Sequence, residues 1–284
     1  MNRRIAALVM VLSAVVALAC KGADAADPAP TKTGKPRASL PSSMVALGDS
    51  ITAGVGACLS LSACARNSWA TGDGTLVSSH YRRILAGNPA IRGHAVNLAR
   101  PGATVADLAG QAGAAVAQRP DYVTILIGAN DACRPSIDQM TTKADFQARF
   151  GAALGTLHRG LPQARILVVS IPDVYHVWEV GHTNRIARDV WALGVCPSLL
   201  ANPASTAPAD AARRQRFRDR VDAYDAVLAA VCKEYGPRCR YDNGAAHGTP
   251  FGIEKLNTLD YFHPNVDGQA QLAELTYPGS FTWG

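Results

Sequence analysis

Apolar residues along this chain gather into five short runs. The stretches between them carry the three-to-four-residue spacing of helices. The runs are Val45–Leu47, His94–Leu98, Tyr122–Ile127, Ile166–Ser170 and Arg238–Tyr241. Tyr122–Ile127 is almost unbroken in apolar and β-branched residues, the pattern of a central strand buried on both faces. Leu76, Tyr81, Ile84 and Leu85 predict a helix over 75–86, ended by Gly87-Asn88-Pro89. Further helices are predicted over 105–116, stopped by Pro120, and over 143–159, with Phe146, Phe150, Leu154 and Leu157 on one side. Two more fall over 209–234 and 266–277. Strands alternating with helices imply an α/β protein. The expected architecture is a flavodoxin-like three-layer sandwich around a parallel sheet of about five strands.

One stretch breaks the rhythm. Residues 173–208 hold Tyr175, Trp178, Trp191, Cys196 and Leu199-Leu200 without a single period. An insertion of this length is expected to act as a lid or a binding wall, or to pack as a satellite core. With Cys196 tied to Cys133 it would stand beside Asn130, and Trp178 and Trp191 would then face an acyl pocket.

The first residues change the picture of the mature protein. Arg3 and Arg4 precede an apolar run, Ile5 to Ala19, of 15 residues. That is shorter than the roughly 20 needed to span a membrane. A basic start, a short apolar core and Ala23-Asp24-Ala25 describe a secretion signal over 1–25. Ala17-Leu18-Ala19-Cys20 competes as a lipidation site, which would anchor the protein through Cys20. Residues 26–43, with Pro28, Pro30, Pro36 and Pro41, read as a disordered linker. Residues 44–284 then form one domain.

The net charge is +6. Arg3, Arg4 and Lys21 lie in the leader against Asp24, so the mature chain is less basic. The densest basic run, Arg213 to Arg220, reads as the solvated face of a helix rather than a nucleic-acid surface, and no nucleic-acid partner is expected. A mildly basic surface is compatible with contact to anionic lipid. The protein is expected to be a monomer. Beyond Cys20 there are six cysteines: Cys58, Cys64, Cys133, Cys196, Cys232 and Cys239. An even number in an exported chain points to disulfides, expected in sequential pairs. No spacing of the zinc type supports a metal, and no cofactor is expected.

Four stretches carry candidate chemistry: Gly48-Asp49-Ser50, Asn97 to Gly102, Gly128-Ala129-Asn130-Asp131 and Asp260-Tyr261-Phe262-His263. Ser50 follows a strand, where open α/β sheets place their ligands. A serine hydroxyl needs a base to become a nucleophile, and His263 can supply it. Asp260 lies three residues earlier, near enough to orient the ring. The Ser50 N–H, the Gly102 N–H and the Asn130 amide are candidate oxyanion donors. Each stretch alone would pass as turn chemistry.

In this order the four stretches resemble the SGNH (GDSL-type) hydrolase family. Gly48-Asp49-Ser50 with Gly54, Asn97 with Gly102, Gly128-x-Asn130-Asp131 and Asp260-x-x-His263-Pro264 match its blocks. Within it, the chain is most similar to secreted actinobacterial lipases and phospholipase B-type members. The resemblance implies metal-free ester hydrolysis, with Ser50, His263 and Asp260 as triad and Ser50, Gly102 and Asn130 as oxyanion hole. The leading expectation is a secreted carboxylester hydrolase acting on lipid or other acyl esters, with a small-molecule or lipid ester as substrate. The alternatives are a carbohydrate acetyl esterase and a non-catalytic surface binding protein on the same fold.

Overall fold

The structure is a computed structural model that describes residues 40–58 and 60–284. The expected secretion signal, Cys20 and the expected linker up to residue 39 lie outside the described residues. Five parallel strands form one sheet: β1 (Met44–Gly48), β2 (Ala95–Asn97), β3 (Tyr122–Leu126), β4 (Arg165–Val168) and β5 (Cys239–Tyr241). Their order is β2-β1-β3-β4-β5, and every neighbouring pair is parallel. All of β1 and β3 is buried, as their apolar runs require.

Helices cover both faces of this sheet, giving the three-layer α/β sandwich of the doubly wound class. They are α1 (His80–Gly87), α2 (Leu108–Gln118), α4 (Lys143–Gly160), α8 (Pro208–Tyr235) and α10 (Val266–Thr276), with short α3 (Ala129–Ala132) and α9 (Ala245–Gly248) in the loops. On α4, Phe146, Phe150, Leu154 and Leu157 are buried at helical spacing, and the helix packs between α2 and α8. Thr142 caps it, accepting the Asp145 N–H at 3.1 Å.

Two sequence expectations change, and the insertion gains definition. The helix predicted over 75–86 begins only at His80. Ser79 caps it by accepting the Arg82 N–H at 3.1 Å, and its hydroxyl bonds Gly72 O at 2.5 Å. Leu76 is left in the preceding loop, 70% exposed. Residues 173–208 contain three short helices, α5 (Val174–Gly181), α6 (Arg185–Trp191) and α7 (Pro197–Leu200). The end of the expected linker is tied down as well. The Ser42 N–H and hydroxyl bond Asp121 at 2.8 and 2.6 Å, and Asn88 Nδ2 donates to the Leu40 and Pro41 carbonyls. Low apolar content did not predict this, because the attachment is polar.

Disulfides join Cys58 to Cys64, Cys133 to Cys196 and Cys232 to Cys239. The strand order reverses between β1 and β3, since the chain passes from β1 out to β2 and back across to β3. The loops after β1 and β3 therefore diverge and leave a crevice at their C-terminal ends.

Candidate active site

Ser50 lies in that crevice. β1 ends at Gly48, with φ of +145°, where a Cβ would come within 2.2 Å of Leu126 O. Only glycine fits such a close approach. The chain then coils, Ala53 N–H bonding Asp49 O and Val55 N–H bonding Ser50 O. Gln111 of α2 grips the start of the coil. Its Oε1 accepts the Gly48 N–H at 2.8 Å and its Nε2 donates to Gly48 O at 2.9 Å. Nothing in the sequence marks this buried glutamine, because its partner lies 63 residues away.

His263 comes from the loop before α10. Its Nε2 is 2.8 Å from Ser50 Oγ, and its Nδ1 is 2.6 Å from Asp260 Oδ2. Asp260 Oδ1 accepts the Phe262 and His263 backbone N–H groups at 2.9 and 3.1 Å. Both carboxylate oxygens are thus committed, which fixes the plane against the ring. Asn257 completes the loop: its N–H bonds His263 O at 2.8 Å and its Nδ2 bonds Gly56 O at 2.6 Å. Ser50 and Asp260 are buried, and the His263 side chain is 20% exposed.

Asn130 sits in α3, at the end of β3. One hydrogen of its Nδ2 is taken by Ala103 O at 2.9 Å, which leaves the second free to meet a ligand. Gly102 is exposed, with φ of +79° and open space where a Cβ would stand. Asp131 links the two loops. Its Oδ2 accepts the Val105 N–H at 2.9 Å and its Oδ1 accepts the Thr141 hydroxyl at 2.7 Å. Asn97 stays outside the crevice; its Nδ2 braces Thr52 O and Thr71 Oγ1 at 2.8 and 3.0 Å.

Two carboxyls beneath the site are perturbed. Burial pushes Asp49 up to about 7, opposed by the Ile51 N–H bond and the charge of His263. Its Oδ2 has no hydrogen-bond partner among the described residues. Burial also pushes Asp131 up to about 6, opposed by Thr141 and Val105.

Beside Ser50 is a narrow cleft. Ile51, Pro172, Val174, Val177, Phe251 and Phe262 line it together with Ser50, Asn130 and His263. The insertion does supply a wall, but through α5 valines. Trp178 and Trp191 are not among the lining residues, contrary to the sequence expectation. Trp178 lies under the Arg214 guanidinium, 4.2 Å from its ring centre, and donates to Pro203 O. Trp191 is buried against Gly181 and donates to Tyr261 O at 3.3 Å. Aromatic content marked the segment, but the direction of each ring is set by packing with distant elements.

A doubly wound sheet with serine, histidine and aspartate converging at its switch point defines a hydrolase class built on this fold. Residues 46–271 match the family model of the GDSL-like lipase/acylhydrolase family, and the chain belongs to that family. It is an ester hydrolase. Curated proteins gave no match. Among solved structures, the chain is similar to a protein described as a GDSL-like lipase from Parabacteroides merdae. Identity is 17% and the TM-score 0.52, covering 82% of this chain and 92% of that one. It is also similar to a carbohydrate esterase family 2 enzyme from Corynascus thermopiles, at 13% identity and a TM-score of 0.50, over 84% and 64% of the two chains. An extracellular lipase of Streptomyces rimosus matches at 20% identity with a TM-score of 0.46, over 84% and 99%.

Proposed function

We propose that the protein is an exported serine carboxylester hydrolase that cleaves lipid or other acyl esters at Ser50. The observation that carries this reading is the unbroken chain Ser50 Oγ, His263, Asp260, with separations of 2.8 and 2.6 Å. His263 Nε2 takes the hydroxyl proton as Ser50 Oγ attacks the ester carbonyl carbon. Asp260 holds the Nδ1–H and stabilises the imidazolium that forms. The oxyanion is met by the Ser50 and Gly102 N–H groups and by the free hydrogen of Asn130 Nδ2. Loss of one such donor costs about 2.7–4 kcal/mol of transition-state stabilisation. His263 then returns the proton to the leaving alcohol, and water repeats the sequence on the acyl-serine.

The apolar lining from Ile51, Val174, Val177, Phe251 and Phe262 favours an apolar acyl group there, since each buried CH₂ gains about 0.8 kcal/mol. Export is favoured by the leader pattern and by three disulfides in one domain.

The test is Ser50→Ala. Turnover of p-nitrophenyl esters should disappear with the unfolding midpoint unchanged, and a fluorophosphonate probe should label only the unmutated protein, at Ser50. Full esterase activity in a folded Ser50→Ala protein would refute the mechanism.

A further inference from the structure

The insertion touches both halves of the site. At one end it is fastened just past Asn130. Cys196 is bonded to Cys133, the Ser198 hydroxyl donates to Ala132 O at 2.7 Å, and the Ser198 N–H donates to Arg134 O at 3.0 Å. At the other end Trp191, 2% exposed, donates its indole N–H to Tyr261 O. The ring is seated against Gly181, where a Cβ would come within 2.3 Å of it. Glycine at 181 therefore lets Trp191 lie where it can reach the loop.

The carbonyl that Trp191 reaches is not an ordinary one. Tyr261 has φ of +50°, a conformation that a bulky side chain disfavours. Its C=O and the Phe262 N–H belong to one peptide unit. Trp191 holds that unit by its oxygen, and Asp260 Oδ1 holds it by its N–H at 2.9 Å. The other oxygen of the same carboxylate is 2.6 Å from His263 Nδ1. Rotation of this peptide unit would pull on Asp260 Oδ1 and so tilt the carboxylate against the imidazole.

We infer that Trp191 is a positioning residue for His263, and that residues 173–208 form a strut between the oxyanion side and the base side. The inference rests on the proposed roles of Ser50 and His263. Trp191 acts by holding the Tyr261–Phe262 peptide in the orientation that lets Asp260 serve the ring. It touches neither substrate nor reacting atoms.

The test removes the N–H and keeps the ring. Trp191 is replaced by β-(3-benzothienyl)alanine, in which sulfur stands where the N–H was, with Trp191→Phe as a second variant. In the benzothienyl protein kcat should fall about tenfold with KM nearly unchanged, as expected of misplaced catalytic groups. The loss should be equal for acetyl and octanoyl esters, and the downfield Nδ1–H proton resonance of His263 should shift. In a His263→Ala background the same replacement should leave the residual rate unchanged, because the two residues act as one unit. An unchanged kcat in the benzothienyl protein overturns the inference, whatever Trp191→Phe does. A tenfold loss that persists in the His263→Ala background also overturns it, since the effect then does not pass through His263. Failure of the underlying reading looks different: His263→Ala alone would retain activity.

Discussion

Two histidines of this protein stand beside buried aspartates near the C-terminal end of the sheet, and their remaining surroundings differ. His263 has one nitrogen at Asp260 and the other at the Ser50 hydroxyl, a group that can give up a proton. His247 faces acceptors on both sides. Its Nδ1 is 3.0 Å from Ile171 O and 3.1 Å from Asp225 Oδ2, and its Nε2 is 3.4 Å from Asp222 Oδ1. Its Nδ1 bonds the Ile171 carbonyl and carboxylates stand beside both nitrogens, a setting that favours the imidazolium. The Asp225 carboxylate pushes His247 up to about 9, against burial, with Asp173 adding its charge. A cation has no lone pair to act as a base. The aspartate neighbour is common to both histidines; the group at the remaining nitrogen differs, a hydroxyl at His263 and a carboxylate at His247. His247 braces: its backbone N–H also donates to Ser170 Oγ at 3.0 Å, tying α9 to the loop that leads into the insertion.

The largest effect should separate the two rings. His263→Ala should lower kcat/KM by about 10⁴- to 10⁶-fold, the range for a residue of a catalytic triad. His247→Ala should cost less than about tenfold, because the ring lies outside the crevice and perturbs it only through the fold. Steady-state ester hydrolysis on both variants checks this, and comparable losses would erase the distinction. Next in size is Asn130→Ala, which should lower kcat by roughly 100- to 1,000-fold. The loss should fall on kcat more than on KM, since the bond strengthens in the transition state. A change confined to KM would make Asn130 a binding residue.

The smallest effect concerns stability and pH. The folded pKa of His247 is raised from 6.5 to about 9. The folded state therefore binds the proton more tightly than the unfolded chain does. Its stabilisation is fully present below pH 6.5 and is lost as pH rises through about 9. Thermal unfolding of the wild type should show a midpoint falling between pH 7 and pH 10, a fall that His247→Gln should reduce. Identical slopes in the two proteins would mean that His247 is not the imidazolium that joins α9 to α8.

Much of the fold was legible in the chain. The runs at 45–47, 122–127 and 166–170 are dictated by burial of strands on both faces, a local demand that leaves a local mark. The site loops left such a mark too. Gly48 is needed where a strand ends against Leu126 O, and Asp260 reaches the histidine three residues on within a single turn. These are interactions over a few residues, so their spacing is preserved in the sequence. The start of α1 was misplaced because Leu76 fits the helical period, while the Ser79 cap, which sets the boundary, depends also on Gly72.

The sequence alone determined the alternation of strands and helices and the short-range geometry around Ser50, Asn130 and His263, because backbone sterics, burial and turn chemistry act between neighbours. Only the tertiary structure decided that Gln111 clasps Gly48, that valines rather than tryptophans face the cleft, and that Trp191 reaches the Tyr261 carbonyl while His247 meets Asp225. Those partners are brought together by the packing of α2, α5, α6, α8 and α9 around the sheet. The free energy of each contact depends on where the other partner lies, and no spacing along the chain carries that information.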